Sequence, residues 1–251
     1  MRHRTFTTFT LLLALAAAGC GGKSKSAEPP PPLPSKPTRS CKAGTFHHLG
    51  SARLAYAAVV RSRASVSTRG GVARFGPRNQ NGVPTIFAIR GARTDRHCRP
   101  ASYLVQIPRR PNGVTGWVPA RQVTVARVRT RIVVDLSQKR VTLYRSGKRV
   151  MSSSAAIGSS ATPTPTGSFY VNQRLIPTDP NGPFGPGAVG VSAFSNVLTG
   201  WTQGGPIAIH GTNEPWSIGK AVSNGCIRLP NATLRRVFAL ALNGTPVLIR
   251  Q

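Results

Sequence analysis

The stretch IAIHGTNEPWSIGKAVSNGCIRLPN, residues 207–231, decides how this chain is read. It begins on a strand-like run that ends at His210, the only histidine after His97, and closes on Cys226, the only cysteine after Cys98. A thiol becomes a useful nucleophile at neutral pH when a neighbouring imidazole takes its proton. The stretch therefore supplies one candidate for each role. Gly225 lets the backbone turn tightly so that Cys226 projects into a cleft, and the amides around Gly225 and Cys226 could face a developing oxyanion. No carboxylate occupies the usual third position. Taken singly, such a cysteine is most often a small buried hydrophobe and such a histidine a structural one, so their frame has to decide.

Outward from this stretch the pattern is β-rich. TRIVVDLSQKRVTLYRSGKRVMSSSAAIG, from Thr130, alternates apolar and polar residues through Ile132, Val134 and Leu136 and again through Val141 and Leu143. Turns at Ser137 to Lys139 and at Ser146-Gly147 make it a β-meander. In TPTPTGSFYV, Pro163, Pro165 and Gly167 enforce a rigid turn ahead of a strand starting near Phe169. GAVGVSAFSN and GPIAIHGT read as further strands. One helix is expected: Asn231 caps ATLRRVFALAL, which puts Leu234, Val237, Phe238 and Ala241 on one face, and Asn243-Gly244 ends it before a last strand, TPVLIR.

Taken in order, these pieces resemble the L,D-transpeptidase catalytic domain, also called YkuD-like. The resemblance runs from IVVDLSQKRVTLY at Ile132 through PTPTGSF, IAIHGT and SNGCIRLPN to the closing helix and strand. The family signature is a His-Gly followed, after a loop, by Ser-His-Gly-Cys and then Arg or Asn. Asn224 departs from it, standing where the family usually has a second histidine. The resemblance implies a mainly β fold: a β-sandwich or barrel with one short helix after the catalytic cysteine. It also implies roles: Cys226 the nucleophile, His210 the general base, and the backbone carbonyl of Gly211 orienting the ring. Gly225, Asn224, Ser223 and Arg228 then become oxyanion or substrate contacts. For Ser223 a turn-forming role is equally open, and Arg228 either meets a substrate carboxylate or steadies the loop. Trp201 and Trp216 line the groove or pack beneath the loop; Thr166, Gly167 and Phe169 are architectural.

The implied reaction is attack of the Cys226 thiolate on the third residue of a peptidoglycan tetrapeptide stem. D-Alanine leaves, and the thioester is resolved by an amine from the third residue of a neighbouring stem. No metal, nucleotide or other cofactor is needed, because one amide is exchanged for another. Water or a lipoprotein lysine could take the same thioester, so carboxypeptidase and protein-anchoring activities share the machinery. A non-catalytic wall-binding lipoprotein is a further alternative, which the Asn224 departure favours.

The N-terminus narrows the compartment. In MRHRTFTTFTLLLALAAAGC, Arg2 and Arg4 precede an apolar run too short to span a bilayer stably, as in a secretory signal peptide. AAGC resembles a bacterial lipobox, which makes residues 1–19 a lipoprotein signal and Cys20 the acylated residue; an ordinary signal peptide is the alternative. Residues 20–52 read as a Pro-rich linker. Residues 53–128 read as short strands forming a small β-barrel, whose GWVPARQV resembles the end of bacterial SH3-like domains, and residues 129–251 as the catalytic domain. The implied location is the cell envelope, with the protein exported and anchored to the membrane through Cys20.

In an exported protein Cys41 and Cys98 can form a disulfide, which stabilises by about 4 kcal/mol in the chain-entropy model. Cys41, His47, His48, His97 and Cys98 also offer zinc ligands, though their spacings match no standard zinc motif. The chain carries 34 Lys and Arg against five acids, a net charge of +29. A field of that size draws polyanions such as anionic cell-wall polymers. The basic residues are scattered and match no nucleic-acid motif, so nucleic acid is not expected as a partner.

Overall fold

Glycine and small polar residues set the corners between the strands of the described residues, which are mainly β. The computed structural model describes residues 40–200 and 205–251. The expected signal peptide, the lipidation site Cys20, most of the linker and Trp201 lie outside the described residues.

Eight strands come first: β1 (Phe46–His48), β2 (Ala55–Val60), β3 (Ala64–Thr68), β4 (Gly71–Phe75), β5 (Ile86–Thr94), β6 (Pro100–Gln106), β7 (Thr115–Pro119) and β8 (Val123–Val128). They make one sheet in the order β4-β3-β7-β6-β5-β2-β8, with β1 added to β5. The sheet curls around a modest core that includes Val66, Phe87, Ile89, Val105 and Val118. Residues 41–52, expected in the linker, belong to this folded part: β1 pairs antiparallel with β5, and Cys41 is disulfide-bonded to Cys98. The misreading has a physical cause, since β1 is three residues long and exposed throughout, so it shows no apolar alternation.

The second half contains β9 (Thr130–Asp135), β10 (Arg140–Arg145), β11 (Lys148–Ser154), β12 (Ile157–Gly158), β13 (Gly167–Leu175), β14 (Ala188–Phe194), β15 (Pro206–His210), β16 (Ala221–Ser223), β17 (Ile227–Arg228), α1 (Asn231–Leu240) and β18 (Pro246–Arg250). Eight of these strands form a mixed sheet, β11-β10-β9-β18-β13-β14-β15-β17, and β12 pairs with β16 apart from it. The β10–β11 hairpin turns at Ser146 and Gly147, whose φ values of 50° and 84° give the left-handed pair that matches strand twist. β14 is buried from Ala188 to Ala193 because it is central in the sheet and covered on both faces.

α1 packs Leu234 and Val237 into the core, with Ala241 just beyond its last turn and Phe238 partly buried beside them. Asn231 does not cap it. Pro230 holds the N-cap position, and the Asn231 carboxamide oxygen instead accepts the backbone N–H of Thr212 at 2.8 Å. The helix also stops at Leu240, short of Asn243-Gly244.

The two halves meet along β13. Phe169 and Val171 point into the C-terminal core, while Tyr170 between them is fully buried and its hydroxyl donates to the Ile86 carbonyl of β5 at 3.0 Å. Gln106 on β6 donates to the Ser168 carbonyl at 3.0 Å. The first half is therefore packed on the strand that lies beneath the cavity described next.

Candidate active site

β15 and β17 run parallel with Ile209 opposite Ile227 and His210 opposite Arg228. Side chains alternate along a strand, so Ile209 and Ile227 turn into the core, fully buried, while Ala208, His210, Cys226 and Arg228 are left to line a cavity of about 590 Å³. Its other walls are mostly apolar, with Leu175, Phe184, Val191 and Ile207 among them. Cys226 is partly exposed to this space, whereas only 4% of His210 is accessible.

The imidazole is oriented by a local hydrogen bond. Nδ1 lies 2.5 Å from the Gly211 carbonyl oxygen, and because a carbonyl only accepts, the ring proton sits on Nδ1. Nε2 is then the basic nitrogen. Position 211 leaves no room for a side chain: a Cβ there would run into Asn231 Oδ1 and lie 2.7 Å from Pro186 Cδ and 3.1 Å from Gly185 Cα. Phe184 tilts against the ring at a centroid distance of 4.9 Å.

Burial pushes the His210 pKa down from 6.5 to about 4; the Arg228 charge pushes the same way, and the Gly211 carbonyl opposes both. Burial also raises the Cys226 thiol, against the Ala208 backbone hydrogen bond and the Arg228 charge, both of which lower it. At neutral pH Cys226 is thus a neutral thiol and His210 a neutral imidazole, both on the wall of the same cavity.

The cysteine turn is fastened from two directions. Ser223 Oγ donates to the Cys226 carbonyl at 2.5 Å and accepts the Gly225 N–H at 3.2 Å, closing the turn across Gly225, whose φ is 106°. From outside, Thr164 Oγ1 donates to the Gly225 carbonyl at 2.9 Å and Thr162 Oγ1 to the Ser223 carbonyl at 3.0 Å. Thr164 in turn accepts the Gly158 N–H at 2.9 Å. The TPTP segment is thus a clamp on the cysteine turn.

Residues 129–249 match the family model described as the L,D-transpeptidase catalytic domain, YkuD. Residues 129–249 form an L,D-transpeptidase catalytic domain. Two Bacillus proteins named as L,D-transpeptidase YkuD are similar to it. The one from Bacillus subtilis (strain 168) is 38% identical over 120 residues, which is 48% of this chain and 65% of that protein. The one from Bacillus licheniformis is 39% identical over 119 residues, or 47% and 64%. The match thus spans less than two thirds of either relative. Among solved structures, the Enterococcus faecium L,D-transpeptidase C442S mutant is 25% identical with a TM-score of 0.36, covering 48% of this chain and 49% of that one.

Within the transpeptidase domain the expected contacts divide. Asn224 is exposed and lines the cavity. Ser223, open between a substrate contact and a turn-forming role, belongs to the cavity lining but is 2% accessible with its hydroxyl committed to the turn. The Gly225 amide, expected to face the oxyanion, is used by Ser223. Arg228 forms an ion pair with Glu214, and its backbone exchanges both hydrogen bonds with Ala156 at 2.9 Å. That arrangement steadies the loop between β15 and β16. Trp216 is 60% exposed on the short 3₁₀ turn Pro215–Ser217 and neither lines the cavity nor packs beneath the loop.

Several site residues escaped the sequence reading. Thr162 and Thr164 were legible only as a turn, because hydroxyl donors to a distant carbonyl leave no periodic trace. Phe184 lies in an irregular segment, and Gln173 sits inside a strand pattern, where a polar residue reads as outward-facing. The zinc alternative at the N-terminal end is excluded by the disulfide, which occupies both sulfurs. Among the described residues no group of three or more His, Cys, Asp or Glu side chains could hold a metal ion.

Proposed function

We propose that the chain is a peptidoglycan L,D-transpeptidase that joins the third residues of two peptide stems through a thioester on Cys226. The observation that carries this reading is that His210, at the end of β15, and Cys226, the residue just before the adjoining β17, line one open cavity, with the ring proton tied to Gly211 and Nε2 left basic. As Sγ attacks the carbonyl carbon of the third stem residue, its proton passes to His210 Nε2. The C–N bond to the terminal D-alanine then breaks, and the same proton goes to the leaving amine. An amine of the neighbouring stem attacks the thioester, gives its proton to His210, and the C–S bond breaks to return the thiol.

With the Gly225 amide engaged, the oxyanion contact falls to the main chain of Cys226 and to the Asn224 carboxamide, which donates at any pH. The substrate is a stem peptide, and the basic surface also suits anionic wall polymers. We place the protein in the cell envelope, exported and anchored through Cys20, with the SH3-like half as a wall-facing module. The disulfide between Cys41 and Cys98 supports an oxidising compartment.

The test is incubation of the purified protein with a disaccharide-tetrapeptide and identification of products by mass. A cross-linked dimer with released D-alanine is expected. A lone tripeptide would make it a hydrolase, and no product would make it a binding protein. Cys226→Ala is expected to lower D-alanine release by at least about 10⁴-fold; a thioester formed by that variant would rule the mechanism out.

A further inference from the structure

Among the polar side chains of the cavity lining, Gln173 serves neither the proposed chemistry, nor the Cys226 turn, nor the Arg228–Glu214 ion pair. It lies on β13 and is 9% accessible. Three features of the chain place it there. The β13–β14 ladder runs from Val171 opposite Val191 to Gln173 opposite Gly190, so Asn172 is an extra residue, a bulge that re-aims the side chain after it. The residue facing Gln173 is glycine: a Cβ on Gly190 would lie 2.6 Å from Gln173 Cγ, so the side chain crosses space that any other residue would fill. The carboxamide is also gripped from the first half of the molecule, since Asn79 Nδ2 and Asn81 Nδ2 each donate to Gln173 Oε1 at 2.8 Å.

That grip fixes which end of the amide is which. Asn79 Oδ1 already accepts the backbone N–H groups of Asn81 at 2.9 Å and Val83 at 3.3 Å, so Asn79 presents its NH₂ to Gln173. An NH₂ requires an acceptor, so Gln173 answers with its oxygen. Its own NH₂ then has no acceptor among the described residues, and it belongs to a side chain in the cavity wall. The cavity lining holds no carboxylate, and its charged member is Arg228. Such a lining suits a group that accepts hydrogen bonds, and an ammonium would find no counter-charge there.

We propose that Gln173 is a specificity-determining residue whose NH₂ donates to a carbonyl or carboxylate oxygen of the donor stem peptide, held in that orientation by Asn79 and Asn81. Gln173 touches substrate; the two asparagines are positioning residues that act through it. The assignment rests on the transpeptidase reading for the identity of the peptide, and it makes the first half of the chain part of the substrate site.

The test uses the full chain and a disaccharide-tetrapeptide. Binding is measured by calorimetry on a Cys226→Ser background, and turnover by D-alanine release. Gln173→Glu keeps the shape and an oxygen for Asn79 and Asn81 but cannot donate when ionised, and Gln173→Met removes the donor without adding charge. Each is expected to weaken binding and raise KM by about tenfold, the loss of one buried hydrogen bond, with kcat changed less than about threefold. Asn79→Ala/Asn81→Ala, which frees the amide to rotate, is expected to raise KM by a smaller factor while Asn79→Ala/Asn81→Ala/Gln173→Met adds nothing beyond Gln173→Met. Binding within twofold of the parent in whichever Gln173 variant melts at the parent temperature would overturn the assignment. Binding that depends on Gln173 in a chain that releases no D-alanine would instead leave the assignment standing and sink the catalytic reading.

Discussion

The Cys226 turn and the Gln173 part of the lining belong to one cavity but are secured by different parts of the chain. Every bond that shapes the turn, from Ser223, Thr162 and Thr164, originates within residues 129–251. Gln173 is held instead by Asn79 and Asn81. The end of β14 and the segment after it are held by the loop between β6 and β7. There the Asn112 carboxamide pairs with the Phe194 carbonyl at 2.8 Å and the Phe194 N–H at 2.9 Å, and Arg110 donates to the Leu198 carbonyl at 3.1 Å. The difference suggests a division of labour in which the chemistry is internal to the transpeptidase domain and substrate fit is shared with the first half. Perturbing the turn should then change kcat, and perturbing the first half should change KM.

The largest expected break after loss of the sulfur itself is at the base. His210→Gln is expected to lower kcat/KM by about 10²- to 10⁴-fold. The parent pH profile sharpens the same point. His210 works as a base only when neutral, and its pKa is lowered from 6.5 to about 4, so kcat/KM should stay level as pH falls through 6.5 and drop only near 4. An acid limb at 6.5 would show a solvated ring and undo the argument from burial. The same depression has a cost in stability. Between 6.5 and about 4 the unfolded chain takes a proton that the folded chain refuses, so stability declines as pH falls through that window.

Next in size is the clamp. Thr164→Val keeps the shape of a buried side chain but leaves the Gly158 N–H without its acceptor and the Gly225 carbonyl without its donor. A loss of about 1–3 kcal/mol in denaturant unfolding is expected. Because Cys226, the proposed nucleophile, rides on this turn, kcat should fall by about 10- to 100-fold with KM little changed. A variant that loses stability and retains kcat would show that the turn keeps its geometry without the clamp.

How much of this was legible in the residues follows the kind of force involved. The meander from Thr130, the β14 and β15 strands and the apolar face of α1 were readable because burial imposes a period on the sequence. The motif singled out His210 and Cys226, and both line one cavity. Asn231 was misread as a cap because its amide has two possible customers, the first turn of α1 and the Thr212 N–H, and only the fold brings the second within reach. Ser223 stayed open between substrate and turn because a polar residue beside Cys226 looks the same in sequence in either role; its hydroxyl closes the turn and takes up the Gly225 amide. β1 and the contacts of Asn79, Asn81 and Asn112 were invisible, since a three-residue exposed strand has no pattern and loop asparagines announce a turn without naming a partner.

The smallest expected effect tests the division of labour most directly. Asn112→Ala removes a carboxamide that bonds both backbone groups of Phe194, yet it lies in the first half of the molecule and is not part of the cavity lining. If that half only carried the enzyme to its substrate, D-alanine release from a small soluble disaccharide-tetrapeptide would be indifferent to the change. If it shapes the lining, the strand end beyond β14 loosens and the substrate pays part of the ordering entropy on binding, so KM should rise by about three- to tenfold, equivalent to roughly 1 kcal/mol. Neither kcat nor the rate at which iodoacetamide alkylates Cys226 should move, because the clamp on the turn and the lock on His210 lie on the other side of the division. A fall in alkylation rate alongside the rise in KM would mean that the two parts of the cavity are coupled and that the first half reaches the nucleophile itself.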